Sequence, residues 1–279
     1  MNPIISPSEL IKAVQTNTVV LVDATNSPSA FKNYQQSHLQ GALFVDVNTQ
    51  LADIKEDVAL GGRHPLPTSD QFSTTLTDLG ITTTTWVVVY DDKNGANAAA
   101  RFWWMLRSIG HEKVQVLSGG IQAAISAGYP TSSAVEILNN VPSYPIHSWQ
   151  WPTIALNEMD DMIEKDDFVV VDVRESQRYR GEAEPIDLVA GHIPGSTNIP
   201  FMENLDANGF FLSAAELKAK YQKVFENIPE ENRVVHCGSG VTACHTLLAV
   251  AIANLPIPKL YVGSWSEWSR NNREIKIEY

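Results

Sequence analysis

The sequence predicts an α/β protein of two tandem domains, each a mainly parallel sheet with helices on both faces. Three observations carry this. The chain has 279 residues, short continuous apolar runs alternate with helical patterns, and the whole arrangement occurs twice. That length exceeds one ordinary domain and suits two of about 130 residues. A composition 44% hydrophobic and 19% charged supplies ample core. Apolar runs without polar alternation mark strands covered on both faces, which is the condition of a parallel sheet flanked by helices.

The repetition can be followed element by element. Thr18-Val19-Val20-Leu21-Val22-Asp23-Ala24 matches Asp167-Phe168-Val169-Val170-Val171-Asp172-Val173, each a buried strand ending in Asp. Ser37-His38-Leu39-Gln40-Gly41-Ala42 matches Gly191-His192-Ile193-Pro194-Gly195-Ser196, and Trp86–Asp91 matches Arg233–Cys237. Val114–Gly120 matches Lys259–Ser264. The spacing stays near about 145–155 residues, a domain-sized duplication far longer than a solenoid repeat. Between the strands, Ala98–Ile109 and Ala214–Phe225 have helical patterns, and Trp103 and Trp104 fall on the core face of the first. The Ser-, Pro- and Asn-rich stretch from about Thr131 to Pro152 reads as a linker. The division is therefore 1–135, a linker at 136–152, and 153–279.

The most informative stretch is His236-Cys237-Gly238-Ser239-Gly240-Val241-Thr242-Ala243. The strand Arg233-Val234-Val235 precedes it and the helical pattern Cys244–Ala253 follows. A strand ends, a cysteine sits on the turn, and glycines let the backbone curl before a helix begins. Backbone N–H groups in such a turn form an anion-binding nest, reinforced by the helix dipole. An electropositive setting of this kind favours the ionised, nucleophilic form of a thiol. The matching position in the first half is Asp91, which cannot act as that nucleophile, so the first half reads as catalytically silent.

Composition narrows the possible partners. A net charge of −12 argues against nucleic acid or an anionic membrane, so an anionic substrate needs a local basic pocket. Two cysteines give no disulfide framework, and no Cys or His cluster completes a metal site. The N-terminal stretch has no basic n-region and no apolar core, so no signal peptide is expected. No apolar run approaches the roughly 20 residues of a membrane span. A reducing cytoplasm fits these features. A cysteine phosphatase would need a cationic side chain to grip phosphate, yet position 243 is Ala and no basic residue lies between Cys237 and His245.

Asp172-Val173-Arg174, Gly191–Ser196, Cys237–Thr242, Gly263-Ser264-Trp265-Ser266-Glu267-Trp268 and Gly62-Arg63-His64-Pro65-Leu66-Pro67 together resemble the tandem-domain rhodanese family. The likeness is greatest to its 3-mercaptopyruvate sulfurtransferase branch. The resemblance implies two rhodanese-like domains and transfer of sulfane sulfur, from 3-mercaptopyruvate or thiosulfate, through a Cys237 persulfide. The acceptor would be a thiol such as thioredoxin, or cyanide; no cofactor or metal is expected. By the same resemblance Ser239 and His64 assist proton transfer with an acidic residue, and Gly238, Gly240, Val241 and Thr242 shape the anion-binding loop. Small neutral residues at Gly238 and Ser239 match the mercaptopyruvate branch, whereas thiosulfate-type members carry basic residues there.

Two positions depart from the family pattern. The acidic partner of His64 falls on Asn48, with Asp46 and Asp53 as substitutes. The second arginine expected after a Glu-Pro pair is absent, because Glu184-Pro185 is followed by Ile186-Asp187. Arg178 is then the candidate for the substrate carboxylate, with Arg63 from the first half as a second charge and Arg174 and Arg180 in reserve. Trp265 and Trp268 are candidate pocket walls, and Cys244 reads as a small buried hydrophobe. A non-enzymatic persulfide carrier or redox-sensing scaffold is the alternative function.

Overall fold

The structure is a computed structural model that describes residues 1–136 and 140–278. Residues 137–139, inside the expected linker at 136–152, lie outside the described residues. The chain forms two compact units. The first contains Met1–Asp53, Pro67–Gln150 and Ala207–Phe211, and the second contains Ile54–Leu66, Trp151–Asp206 and Leu212–Tyr279. Arg63 and His64, expected from the first half, therefore fold as part of the second unit.

In chain order the strands are β1 (Ile4–Ile5), β2 (Val19–Asp23), β3 (His38–Leu39), β4 (Ala42–Phe44), β5 (Trp86–Tyr90), β6 (Val114–Leu117), β7 (Thr131–Ser132), β8 (Thr153–Ile154), β9 (Val169–Asp172), β10 (Thr197–Asn198), β11 (Arg233–His236) and β12 (Lys259–Tyr261). The first unit's sheet runs β1-β6-β5-β2-β4 and the second's runs β8-β12-β11-β9-β10, with every neighbour parallel. The two orders are identical under the sequence repeat. Each apolar run is a strand buried between helical layers, as continuous hydrophobicity requires. The predicted helices form as Ala99–Ser108, Ala214–Val224 and Ala243–Ile252. Ser213 starts the second of these with a capping box, accepting from Glu216 N–H while Glu216 bonds back to Ser213. Trp103 and Trp104 are fully buried core residues.

The duplication extends to single hydrogen bonds. Tyr90 O accepts from Ala24 N–H at 2.8 Å, and His236 O accepts from Val173 N–H at 3.0 Å. Asp91 O accepts from Ile121 N–H, as Cys237 O accepts from Trp265 N–H. Tyr34 stacks on His38 at 4.0 Å between ring centroids, and Tyr179 on His192 at 3.8 Å.

In the loop after β5 an acid stands where the second unit has Cys237. Asp91 is fully buried, and its carboxylate accepts the backbone N–H groups of Lys93, Gly95, Asn97 and Ala99 at 2.8–3.1 Å. The nest at this turn is filled by a side chain of its own loop. Burial nevertheless pushes Asp91 up to about 6, against the pull of those donors. The folded chain thus holds this proton more tightly than the unfolded chain does. The group's stabilising contribution is complete below about pH 4 and is lost as pH rises through about 6. The stability margin of the native chain over Asp91→Asn, measured by urea unfolding, should narrow by about 2–3 kcal/mol between pH 4 and pH 7. A margin that widens over that interval would mean the carboxylate is ionised throughout.

Candidate active site

The second unit places Cys237 directly after β11, the middle strand of its sheet, with its side chain 3% exposed. The main chain here is held from outside the loop. Cys237 N–H donates to Ser264 Oγ at 3.2 Å, and Ser264 Oγ–H donates in turn to Tyr261 O at 2.8 Å. Trp265 N–H bonds to Cys237 O at 3.0 Å and Ser266 N–H to Gly238 O at 2.9 Å. The cysteine is thereby fixed by the turn after β12. Ser264, in a left-handed conformation with φ of 53°, is a positioning residue that sequence reasoning had matched only as part of a motif.

The loop then turns through Gly240, whose φ is +71° and whose missing Cβ would lie 2.5 Å from Val262 O. Only glycine satisfies both conditions. Among the described residues, the N–H groups of Gly238, Ser239, Val241 and Thr242 have no protein acceptor. At the matching turn of the first unit, comparable donors converge on Asp91. The second unit therefore presents an anion-binding nest around a thiol, the arrangement that stabilises a sulfur anion.

His64 reaches this loop through its own segment. Gly61 N–H bonds to Glu267 Oε1 at 2.8 Å, Arg63 N–H to Ser266 Oγ at 3.0 Å, and Asn271 Nδ2 to Ala59 O at 2.9 Å. Gly62, at φ of +80°, lies where a Cβ would collide with Gly263 O. This docking sets His64 Nδ1 2.8 Å from Ser239 Oγ. The expected Ser239–His64 pair is present. Asn48, by contrast, is an exposed residue of the first unit. Asp46 caps its own turn, accepting from the N–H groups of Asn48 and Thr49 and the Thr49 hydroxyl.

Beside Gly238 lies a cluster of arginines. Arg63 Nε meets Asp187 Oδ1 at 3.1 Å, Arg178 Nη2 meets Asp187 Oδ2 at 3.3 Å, and Arg270 Nη1 meets Asp187 Oδ1 at 3.1 Å. A Cβ on Gly238 would sit 2.9 Å from Arg63 Nη2, 3.4 Å from Arg178 Nη2 and 3.6 Å from Asp187 Oδ2. Arg178 also bonds Glu184 at 2.9–3.1 Å. Burial opposes Glu184's charge, but Arg178 holds its carboxyl below the usual range. Arg178 and Arg63 thus meet as expected. Arg270 was missed because it lies outside every local motif and reaches the cluster only through the fold.

The two reserve arginines lie elsewhere. Arg174 clasps both oxygens of Asp172 at 2.6–3.0 Å, bonds Gly191 O, and stacks 4.5 Å over Trp265. Burial works against Asp172's charge, and the neighbouring His236 and Arg174 together hold its carboxyl below the usual range. Arg180 is half-exposed and pairs with Glu182. Trp265 and Trp268 are buried core residues rather than pocket walls. Cys244 is buried on its helix, with its Sγ 3.4 Å from Gly240 O.

The chain matches the rhodanese-like domain over residues 6–127 and again over 155–271. The chain belongs to the rhodanese-like family. It is 38% identical over 244 residues to a Pseudomonas aeruginosa protein named "Probable 3-mercaptopyruvate sulfurtransferase", covering 86% of this chain and 84% of that one. It is 36% identical over 251 residues to the thiosulfate sulfurtransferase of Mus musculus, covering 86% and 80%. Among solved structures, the 3-mercaptopyruvate sulfurtransferase from Leishmania major superposes with a TM-score of 0.82 at 28% identity, covering 95% of this chain and 74% of that one. Both copies of the rhodanese-like domain retain the five-stranded parallel sheet.

The loop geometry yields a direct test. Gly240→Ala should cost at least about 1–2 kcal/mol from the left-handed backbone alone, with the clash against Val262 O added. The variant should melt below the native chain and change the rate at which iodoacetamide labels Cys237. Unchanged melting and labelling would show that the loop does not need this conformation.

Proposed function

We propose that the chain is a sulfurtransferase whose nucleophile is Cys237. The observation that carries this reading is the contrast between the two matched turns. One nest is filled by Asp91; the other lies at a thiol, and its Gly238, Ser239, Val241 and Thr242 N–H groups have no protein acceptor among the described residues. The family relatives named for 3-mercaptopyruvate and thiosulfate sulfur transfer support the same reading.

The chemistry follows from the groups present. The Cys237 thiolate attacks the donor's outer sulfur, forming an S–S bond. With 3-mercaptopyruvate the C–S bond breaks and its electron pair passes to the departing carbon, which takes up the proton of the donor thiol and leaves as pyruvate. With thiosulfate the S–S bond breaks and sulfite departs. Either route leaves a persulfide anion in the nest, where the N–H groups of the loop stabilise it. A thiol acceptor, thioredoxin among them, then attacks the outer sulfur and regenerates Cys237.

Ser239 and His64, hydrogen-bonded to one another, are the relay through which the proton reaches the carbon leaving group. Arg178 and Arg63 attract the donor's negative end, since guanidinium groups bind carboxylates in pairs of hydrogen bonds. A reducing cytoplasm suits the mechanism, because Cys237 and Cys244 are both free thiols. The alternative of a non-enzymatic persulfide carrier shares the nest and differs in its donor, a partner protein rather than a small molecule.

The test is mass spectrometry of the chain after one turnover with 3-mercaptopyruvate or thiosulfate. Addition of one sulfur atom at Cys237, absent in Cys237→Ser, is the expected result. No addition from either donor would favour the carrier. Ser239→Ala should slow sulfur loading from 3-mercaptopyruvate by about 10–100-fold while leaving thiosulfate loading nearly unchanged, because sulfite departs without carbon protonation. Equal slowing with both donors in stopped-flow assays would remove Ser239 from the proton relay.

A further inference from the structure

The arginine cluster beside Gly238 already encloses an anion, and that anion is part of the chain. The Asp187 side chain is wholly buried, and Arg63, Arg178 and Arg270 all direct donors to it. The loop that carries it inverts the usual placement of residues. Ile186 and Leu188, on either side, are 54% and 72% exposed, while the charged residue between them points inward. Glu184 enforces this turn by accepting the N–H groups of Ile186 and Asp187 at 3.0–3.1 Å. Exposing two large apolar side chains in order to bury a carboxylate marks the ion as a built feature, because a lone buried charge is costly.

The remaining charges identify its consequence. Arg174 is matched by Asp172 and also meets Glu184, and Arg178 is shared among Glu184, Asp187 and the half-exposed Glu175. Arg63 and Arg270 are left with Asp187 as their one acidic partner among the described residues. Without Asp187, the Arg63 and Arg178 guanidinium groups beside Gly238 would lose the anion that they share with Arg270. With it, one positive charge is cancelled in advance, and Arg63 Nη1 and Arg270 Nη2 remain as donors with no protein acceptor among the described residues.

We infer that Asp187 is a specificity-determining residue that lowers the positive charge at the Cys237 loop, so that the site takes a monoanionic carboxylate donor in preference to a dianionic one. This rests on the sulfurtransferase reading of the site. A dianion loses twice as much as a monoanion when a fixed negative charge stands beside it. Discrimination between 3-mercaptopyruvate and thiosulfate therefore tracks the charge at position 187. Arg178 and Arg63 attract either donor; Asp187 distinguishes them.

Asp187→Asn keeps the shape of the side chain and removes its charge. Measured with both donors, its kcat/KM for thiosulfate relative to 3-mercaptopyruvate should rise about tenfold, carried mainly by the KM for thiosulfate. Asp187→Glu should return the ratio toward that of the native chain. A parallel fall with both donors and an unchanged ratio would make Asp187 a structural clasp and overturn the inference. Equilibrium binding of sulfate and of pyruvate to Cys237→Ser and to Cys237→Ser/Asp187→Asn gives a readout independent of turnover. Sulfate should gain about tenfold over pyruvate in the double variant, and equal affinity changes would overturn the inference. If the native chain loads no sulfur from either donor, the sulfurtransferase reading fails, while the sulfate-to-pyruvate ratio still judges the role of charge.

Discussion

At the end of the middle strand of each sheet, several backbone N–H groups point into one small space and require an acceptor. Most other features of the two units follow from how that requirement is met. In the first unit the Asp91 carboxylate meets it with four hydrogen bonds, which closes the turn. In the second, Cys237 stands where Asp91 would, and a thiol cannot accept four such bonds. The turn must then be held from behind, by Ser264, Trp265 and Ser266, while the N–H groups of Gly238, Ser239, Val241 and Thr242 have no protein acceptor among the described residues.

That external support determines which side chains can approach. The turn after β12 binds the Cys237 loop on one side and the Gly61–Arg63 main chain on the other, so a single scaffold positions both the thiol and His64. Glycines stand at the points of closest approach: Gly62 against Gly263 O, Gly240 against Val262 O and Gly238 against Arg63. A side chain at Gly238 would enter the space between the loop and the guanidinium groups. Small neutral residues after the cysteine and a nearby arginine cluster are thus two parts of one arrangement.

Charge in this unit is organised in buried pairs rather than as a general field, in keeping with a chain of net charge −12. Arg174 closes Asp172 to the end of β9, Arg178 closes Glu184 to its loop, and Arg63 and Arg270 share Asp187. Pairs of this kind contribute little net stability and mainly fix geometry. Here the geometry they fix is a cationic surface within reach of one residue, Gly238.

Much of this was legible in the sequence, for physical reasons. Continuous apolar runs determine buried parallel strands, and glycines around a cysteine between strand and helix determine a nest, because both are local consequences of backbone chemistry. Repetition of those patterns revealed the duplication and set Asp91 opposite Cys237. Tertiary structure alone decided the rest. The Ile54–Leu66 segment folds with the second unit because its main chain bonds to Glu267 and Ser266, some 200 residues away. Arg270 joins the cluster only through the fold, whereas Arg174 is withdrawn to Asp172, two residues before it in the chain. Asp187, which in the sequence was only a missing arginine, became the centre of three guanidinium groups once the fold placed its loop beside Arg63 and Arg270. Hydrophobic pattern and turn chemistry act between near neighbours and can be read in order; pairing of long charged side chains depends on which surfaces the folded chain brings together.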